Sequence, residues 1–299
     1  MTNKDSFRLV GMLPREPLPE EPARGWRRYF RGKPVAAMAL LAVIGFCCLF
    51  AELMMTHDPT YLDLANANVA PNGEFLFGTD ALGRDLFSMI WYGGRVSLAI
   101  GLLSTAISTV IAVVYGCISG LSSRMVDNAL MRATEILLSI PSILIVILLQ
   151  AVLGEATVLS ISLVIGVTGW MNIAKVVRSE VRQIRGCDYV LAARCMGGGF
   201  FHILGRHLLP NFLSSIMFMV VTNIGTAIAT EATLSFLGIG LPLEIVSWGS
   251  MLSSADRALL SNNWWVIVIP GLFIVLTLVC FTAVGNHIRK RANKGFSNI

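Results

Sequence analysis

The chain has 299 residues, of which 55% are apolar and only 14% charged, and it carries a net charge of +5. A soluble globular domain carries about 25% charged residues, so this composition excludes a soluble enzyme, a disordered protein and a free-standing nucleic-acid binder. Six cysteines (Cys47, Cys48, Cys117, Cys187, Cys195 and Cys280) show no CxxC or Cys/His ligand spacing, which supports neither a disulfide framework nor a zinc site.

A bilayer core of about 30 Å needs roughly 20 apolar residues in helical form. Six segments meet or approach that length: about Val35 to Ala51, Val96 to Ile118, Ile136 to Leu153, Val158 to Ala174, Phe212 to Thr230 and Val266 to Val284. The first follows a basic, mostly polar tail (1–34) and lacks a small-residue cleavage pattern, so it reads as a retained anchor. Ahead of the second, FGTDALGRDLFSMIWYGGRVSLAIG (77–101) predicts a helix capped by Thr79 or Asp80, with Leu82, Leu86 and Ile90 on one face and Asp80 and Arg84 as an i,i+4 pair. Arg132 and Glu135, at the start of the third segment, are placed to pair locally or to cap the helix, and Pro141 kinks it where a cavity would need room. Gly154–Glu155 joins the third and fourth segments as a membrane hairpin.

The stretch GCDYVLAARCMGGGFFHILGRHLLPN (186–211) follows the fourth segment. Asp188 is placed to cap a short helix through Met196, and Gly197, Gly198 and Gly199 permit the positive φ that ends it. A second helix is expected from Phe200 to Leu209, with Phe200, Leu204 and Leu208 on one face and His202 and Arg206 on another, before Pro210 sets the entry into the fifth segment. Such a knob is either a surface-bound connector or a docking element through which a partner moves the spans.

Lysines and arginines decide the orientation. Eight lie in the leading tail, two (Arg124 and Arg132) after the second segment, six (Lys175, Arg178, Arg182, Arg185, Arg194 and Arg206) after the fourth, and four after the last. The opposite side has Arg84 and Arg257, with Arg95 at a membrane edge, so both termini are expected in the cytoplasm. The basic excess is therefore topological and points to no nucleic acid. Trp91, Tyr92, Trp264 and Trp265 are placed as anchors at the outer interface.

Depth sorts the polar residues of the spans. Glu231 stands 19 residues beyond Phe212, about 28 Å along a helix and near the outer rim, and Glu52 is comparably placed, so both can reach water and read as solvated or structural carboxylates. Asn223 is 11 residues beyond Phe212, roughly 16 Å and near the midplane, which suits a cavity wall or a helix–helix hydrogen bond. The 13 methionines read as packing residues rather than a soft-metal path.

Several of these strings resemble one family in the same order. Ala192–Ala193, Gly197 and Leu209–Pro210 are similar to the EAA loop of importer-type ABC permeases, with Leu191 in place of the glutamate that names the motif. The stretch from Gly78 to Asp85 resembles the GTDxxGRD signature of the dipeptide, oligopeptide and nickel permeases, and TEATLSFLGIGLP (230–242), SWGSML (247–252) and WWVIVIPG (264–271) match that family too. The ending VGNHIRKRANKG departs from the family's acidic one.

The resemblance implies an all-α integral membrane protein of the type I importer kind, with six spans and both termini inside. Its permease domain covers 35–285, with a coupling loop at 175–211 and a short basic tail at 286–299. The implied coupling residues are Asp188, Ala192, Ala193, Arg194, Gly197, Arg206, Leu209 and Pro210. The implied outer motif is Gly78, Thr79, Asp80, Gly83, Arg84 and Asp85, and the path candidates are Asn223, Glu231 and Pro141. The resemblance also implies a second homologous permease, two cytoplasmic ATPases that bind ATP and Mg, an extracytoplasmic solute-binding protein, and as solute a peptide or a related small molecule, nickel or a metal chelate included, in the inner membrane of a bacterium or archaeon. The chain itself has no GxxxxGK[ST] phosphate loop. Among rival classes, an ion-coupled secondary transporter would want a charged midplane residue and an internal repeat. A passive scaffold would need no glycine-punctuated knob, and a membrane enzyme would need clustered His, Asp or Ser.

Overall fold

The computed structural model describes residues 34–296, so all of the expected basic tail over 1–34 except Pro34, like the last residues 297–299, lies outside them. Its elements are helical: α1 Val35–Leu49, α2 Ala51–Met54, α3 Leu86–Leu121, α4 Arg124–Ser139, α5 Ser142–Leu153, α6 Val158–Thr168, α7 Met171–Ile184, α8 Asp188–Cys195, α9 Phe200–Ile203, α10 Leu209–Phe236, α11 Trp248–Leu252, α12 Ala255–Leu260 and α13 Trp265–Phe296. Three of these, α3, α10 and α13, are long and apolar enough to cross a membrane, and two bent pairs, α4 with α5 and α6 with α7, raise the number to five.

The helix α3 is the axis of the fold. At 36 residues it is about 54 Å long, well beyond the hydrocarbon thickness of a bilayer. Its buried face is a ladder of small residues, Gly94, Ser97, Gly101, Ser104, Ser108, Ala112, Gly116 and Gly120, at helical spacing. Between membrane helices, where no hydrophobic force acts, such a face lets neighbouring backbones approach and gain dispersion contact. Ile228 of α10 seats at Gly101, Val177 of α7 at Gly116 and Val181 at Gly120. Apolar side chains such as Val110, Leu148, Leu159, Val268, Leu272 and Val279 point outward instead, as lipid contact demands.

Three buried clusters stack along α3. One gathers Ile44, Cys48, Met89, Ile90, Trp248 and Trp265, the next Ile100, Val146, Ile161, Val164 and Ala227, and the last Ala112, Trp170, Ala174, Val177, Phe212 and Ile216. The last lies at the end that carries Arg178, Arg182 and Arg185, called the basic end below.

Several expected boundaries are corrected. The amphipathic helix from Thr79 or Asp80 is absent: residues 79–85 form a turn closed by a Thr79–Asp85 bridge, and α3 starts at Leu86 with Asp85 as its cap. Asp85 accepts from the backbone N–H of Ser88 at 3.1 Å, and Gly83 at φ +76° makes the preceding turn. The expected third span, 136–153, straddles an 89° break at Ile140–Pro141. Pro141 disfavours helical geometry in the residue before it, so α4 runs off at right angles to α5. The fourth segment does not end at Ala174 but bends 46° and continues as α7 to Ile184. The helix expected over Phe200–Leu209 is one turn of α9 followed by a π-helical turn, Leu204–Leu208, that runs into α10. Pro210 stands in the first turn of α10, where its missing N–H costs nothing.

Candidate functional site

An open-sided groove of about 410 Å³ runs between α5, α6 and α10. Its polar lining is Ser142, Thr168, Asn223, Thr226, Thr230 and Thr233, the last four along one face of α10. The threonine hydroxyls donate to carbonyls one turn back, at 3.3, 2.9 and 2.8 Å for Thr226, Thr230 and Thr233, and still offer oxygen lone pairs to the groove. Asn223 Nδ2 donates to Ser108 Oγ of α3 at 2.9 Å, so this residue both lines the groove and ties two helices. Pro141 is not part of the wall, but the break it causes starts α5 at Ser142, which is.

Glu231 does not reach water: it is fully buried, the structural rather than the solvated of its two expected carboxylate roles, and it lies outside the groove, on another face of α10 from Thr230. Its carboxylate accepts from Ser247 Oγ at 2.7 Å, Ser235 Oγ at 3.0 Å and Ser97 Oγ at 3.4 Å. Each serine oxygen in turn accepts a backbone N–H: Ser250 on Ser247, Leu241 on Ser235 and Trp248 on Ser97. The carboxylate is thus a hub that holds the segment 237–252 against α3 and α10. Helical depth along α10 placed Glu231 near a rim, but the segment after α10 folds back and covers it. Glu52, by contrast, is exposed and pairs with Arg95 at 3.3 Å.

The Gly78–Asp85 motif grips the same segment. Arg84 is buried and donates through Nε and Nη2 to Asp80 at 2.8 Å each, and through Nη1 to the carbonyl of Leu243 at 3.3 Å. The pairing expected of Asp80 and Arg84 is present, formed in a turn rather than on a helix. Thr79 Oγ1 donates to the Asn66 carbonyl at 2.6 Å, and the Thr79 carbonyl accepts from Trp265 Nε1 at 3.1 Å. Asp85 also accepts from Ser88 Oγ and from Thr56 Oγ1, at 2.6 and 2.9 Å.

At the basic end, Asp188, Ala192, Ala193 and Arg194 lie on α8, which Gly197 ends at φ +85° with the Gly198 N–H on the Ala193 carbonyl at 2.9 Å. Ala193 is buried, whereas Leu191, Ala192 and Arg206 are exposed, and Leu209 opens α10. Arg132 and Glu135 pair on the surface at 3.2 Å, as expected.

Sequence reasoning missed Asp127. It is 1% exposed on α4, and it accepts from Arg178 Nε at 2.6 Å, Arg182 Nη1 at 2.8 Å and Ser119 Oγ at 2.6 Å. Hydrogen bonding from Arg178 is the main influence that holds the Asp127 carboxyl down at about 2, with Ser119 and the charges of Arg178 and Arg182 adding to it against desolvation. The only sequence signal was a lone acid in a basic loop. The threonine stripe, at 226, 230 and 233, was legible as one helical face but unremarkable in a span rich in threonine.

Residues 112–294 match the model of the family described as binding-protein-dependent transport system inner membrane component. The chain is 34% identical over 265 residues to the dipeptide transport system permease protein DppC of Bacillus subtilis, covering 88% of this chain and 82% of that one. It is 37% identical over 262 residues to the oligopeptide transport system permease protein OppC of the same organism (87% and 85%). To the oligopeptide transport system permease protein OppC of Haemophilus influenzae it is 34% identical over 268 residues (88% and 85%). With the family's model spanning well over half of the sequence and its buried motifs meeting around one segment, the chain belongs to the binding-protein-dependent transport system inner membrane components, the permeases of ABC transporters.

Proposed function

We propose that this chain is one of two translocation subunits of an ATP-driven importer of peptides, with ATP and Mg bound and hydrolysed on two partner subunits. A solute-binding protein delivers cargo to the Gly78–Asp85 end. The observation that carries this reading is the groove: a polar-lipped trough cut along a membrane helix and left open on the chain's own surface. A trough of that kind is half of a channel, and a second, homologous permease supplies the other half. Its lining residues include hydroxyls and one carboxamide but no Cys, His, Asp or Glu, which favours a solute that makes hydrogen bonds, such as a peptide backbone, over a bare nickel ion or other cation. Relatives named for dipeptide and oligopeptide transport support the same choice.

In this reading α1, short at 15 residues, is the sixth crossing, both termini are cytoplasmic, which the arginine and lysine distribution supports, and 188–209 docks on an ATPase. ATP-driven closure of the ATPases moves that loop, and the groove alternates between access to the two sides. The test is uptake of labelled di- to pentapeptides into proteoliposomes holding the full complex. Uptake should require ATP, and Asn223→Leu and Thr230→Val should shift KM while the amount of inserted complex is unchanged. Peptide uptake without nucleotide, or KM values untouched by both variants, would overturn the assignment.

A further inference from the structure

Two helices at the basic end are bent where they leave the spans: α4 turns 89° from α5, and α7 turns 46° from α6. Their own chain continuity therefore fixes neither. Lateral contact holds them: α7 lays Ala174, Val177 and Val181 on α3, and one carboxylate then ties α4 to both. Asp127 of α4 receives the forked guanidinium of Arg178 and one nitrogen of Arg182, both from α7, and the hydroxyl of Ser119 from α3. Two lesser ties flank it. Arg185 Nη1 donates to the Gly120 carbonyl at 2.7 Å, placing a cation at the C-terminal end of α3, where the helix dipole favours it. Tyr115 Oη donates to the Leu130 carbonyl of α4 at 2.7 Å. Gly116 and Gly120 let Val177 and Val181 of α7 lie directly on the α3 backbone.

The helix α3, 36 residues and about 54 Å long, runs unbroken from this junction near its end to Asp85, which caps its other end and is bound by Ser88 and Thr56. The segment that leaves α7 enters α8 after three residues. A push on α8 thus reaches the Gly78–Asp85 end through one stiff rod, provided that α7 cannot slide on α3. The low exposure of Asp127 makes that slide costly, because it would leave a desolvated carboxylate without its partners.

We propose that Asp127 is a positioning residue for coupling: it clamps α7 to the basic end of α3, so that displacement of the coupling loop is delivered along α3 to the opposite end. The proposal rests on the importer reading above.

The test uses the whole complex in lipid nanodiscs, with spin labels at the exposed positions Ser123 and Gln183, one on each side of the clamp. With Asp127 present, the label separation is one narrow distribution, the same with and without nucleotide. Asp127→Asn broadens it, and solute moved per ATP falls about tenfold or more, the worth of one charge-assisted hydrogen bond, while the amount of assembled complex holds. Arg182→Gln removes a single, half-exposed tie and gives an intermediate loss, so the series stays readable if Asp127→Asn assembles poorly. A narrow distribution and an unchanged solute-per-ATP ratio in both variants would overturn the proposal. So would a loss of uptake that merely tracks loss of complex. If the native complex moves no peptide with ATP, the importer reading fails and takes the coupling role with it, whereas label distances broadened by Asp127→Asn still mark the clamp as real.

Discussion

Replacing Glu231 should release the segment over 237–252 without unfolding the bundle. The carboxylate accepts three serine hydroxyls, two of them at 2.7 and 3.0 Å, and those serines hold the N–H groups of Leu241, Trp248 and Ser250. A hydrogen bond contributes about 1 kcal/mol net, and a buried donor left without its acceptor costs about 1–3 kcal/mol. Glu231→Ala removes two good bonds and one long one and orphans hydroxyls in a site that is fully buried. The sum is about 3 kcal/mol, or roughly a hundredfold in a local opening equilibrium. Opening can be read at Met251, which is 5% exposed on α11. In a Met251→Cys background, the rate of maleimide labelling, followed by mass spectrometry of that peptide, should rise by about two orders of magnitude for Glu231→Ala and by about one for Ser247→Ala. A change below about threefold for Glu231→Ala would refute the view that this carboxylate pins the segment.

A methyl-bearing residue at Gly120 would place its Cβ 2.7 Å from Val181 Cγ1, so Gly120→Val should cost about 1–3 kcal/mol. Thermal aggregation of the purified chain should then begin several degrees lower, and Val181→Ala should restore part of the loss. Gly197 has φ +85° and open space around it, so Gly197→Val should cost only the backbone penalty of about 1–2 kcal/mol. Insertion should be normal, while ATP consumed per solute rises; unchanged coupling would count against the loop as a lever. Asp127 is depressed from 3.8 to about 2, so its contribution to stability is fully present above pH 3.8 and is lost only as pH falls towards 2. The difference in thermal midpoint between the native chain and Asp127→Asn should therefore stay constant from pH 7.5 to pH 4.5.

The sequence by itself determined that this is a helical membrane protein, that its lysines and arginines gather in a few loops, and where its punctuation falls. Apolar run length, lysine and arginine placement, and Gly197 and Pro141 are local signals, and each acts within a turn or two of itself. The Gly78–Asp85 string and the 230–252 motifs were also legible, but as separate strings. Only the tertiary structure brought them to one segment, buried Glu231 beneath it, and showed that Asp80 and Arg84 pair in a turn. Burial could not be read from depth along α10, because what covers Glu231 is a segment folding back after that helix ends. Asp127 shows the same limit: its partners lie eight residues back in α3 and more than fifty residues ahead in α7, and nothing in a one-dimensional pattern says which arginines of a basic loop a lone carboxylate will meet. Pairing across helices is set by the close approach that the small-residue face of α3 permits, a property of packed surfaces rather than of any stretch of chain.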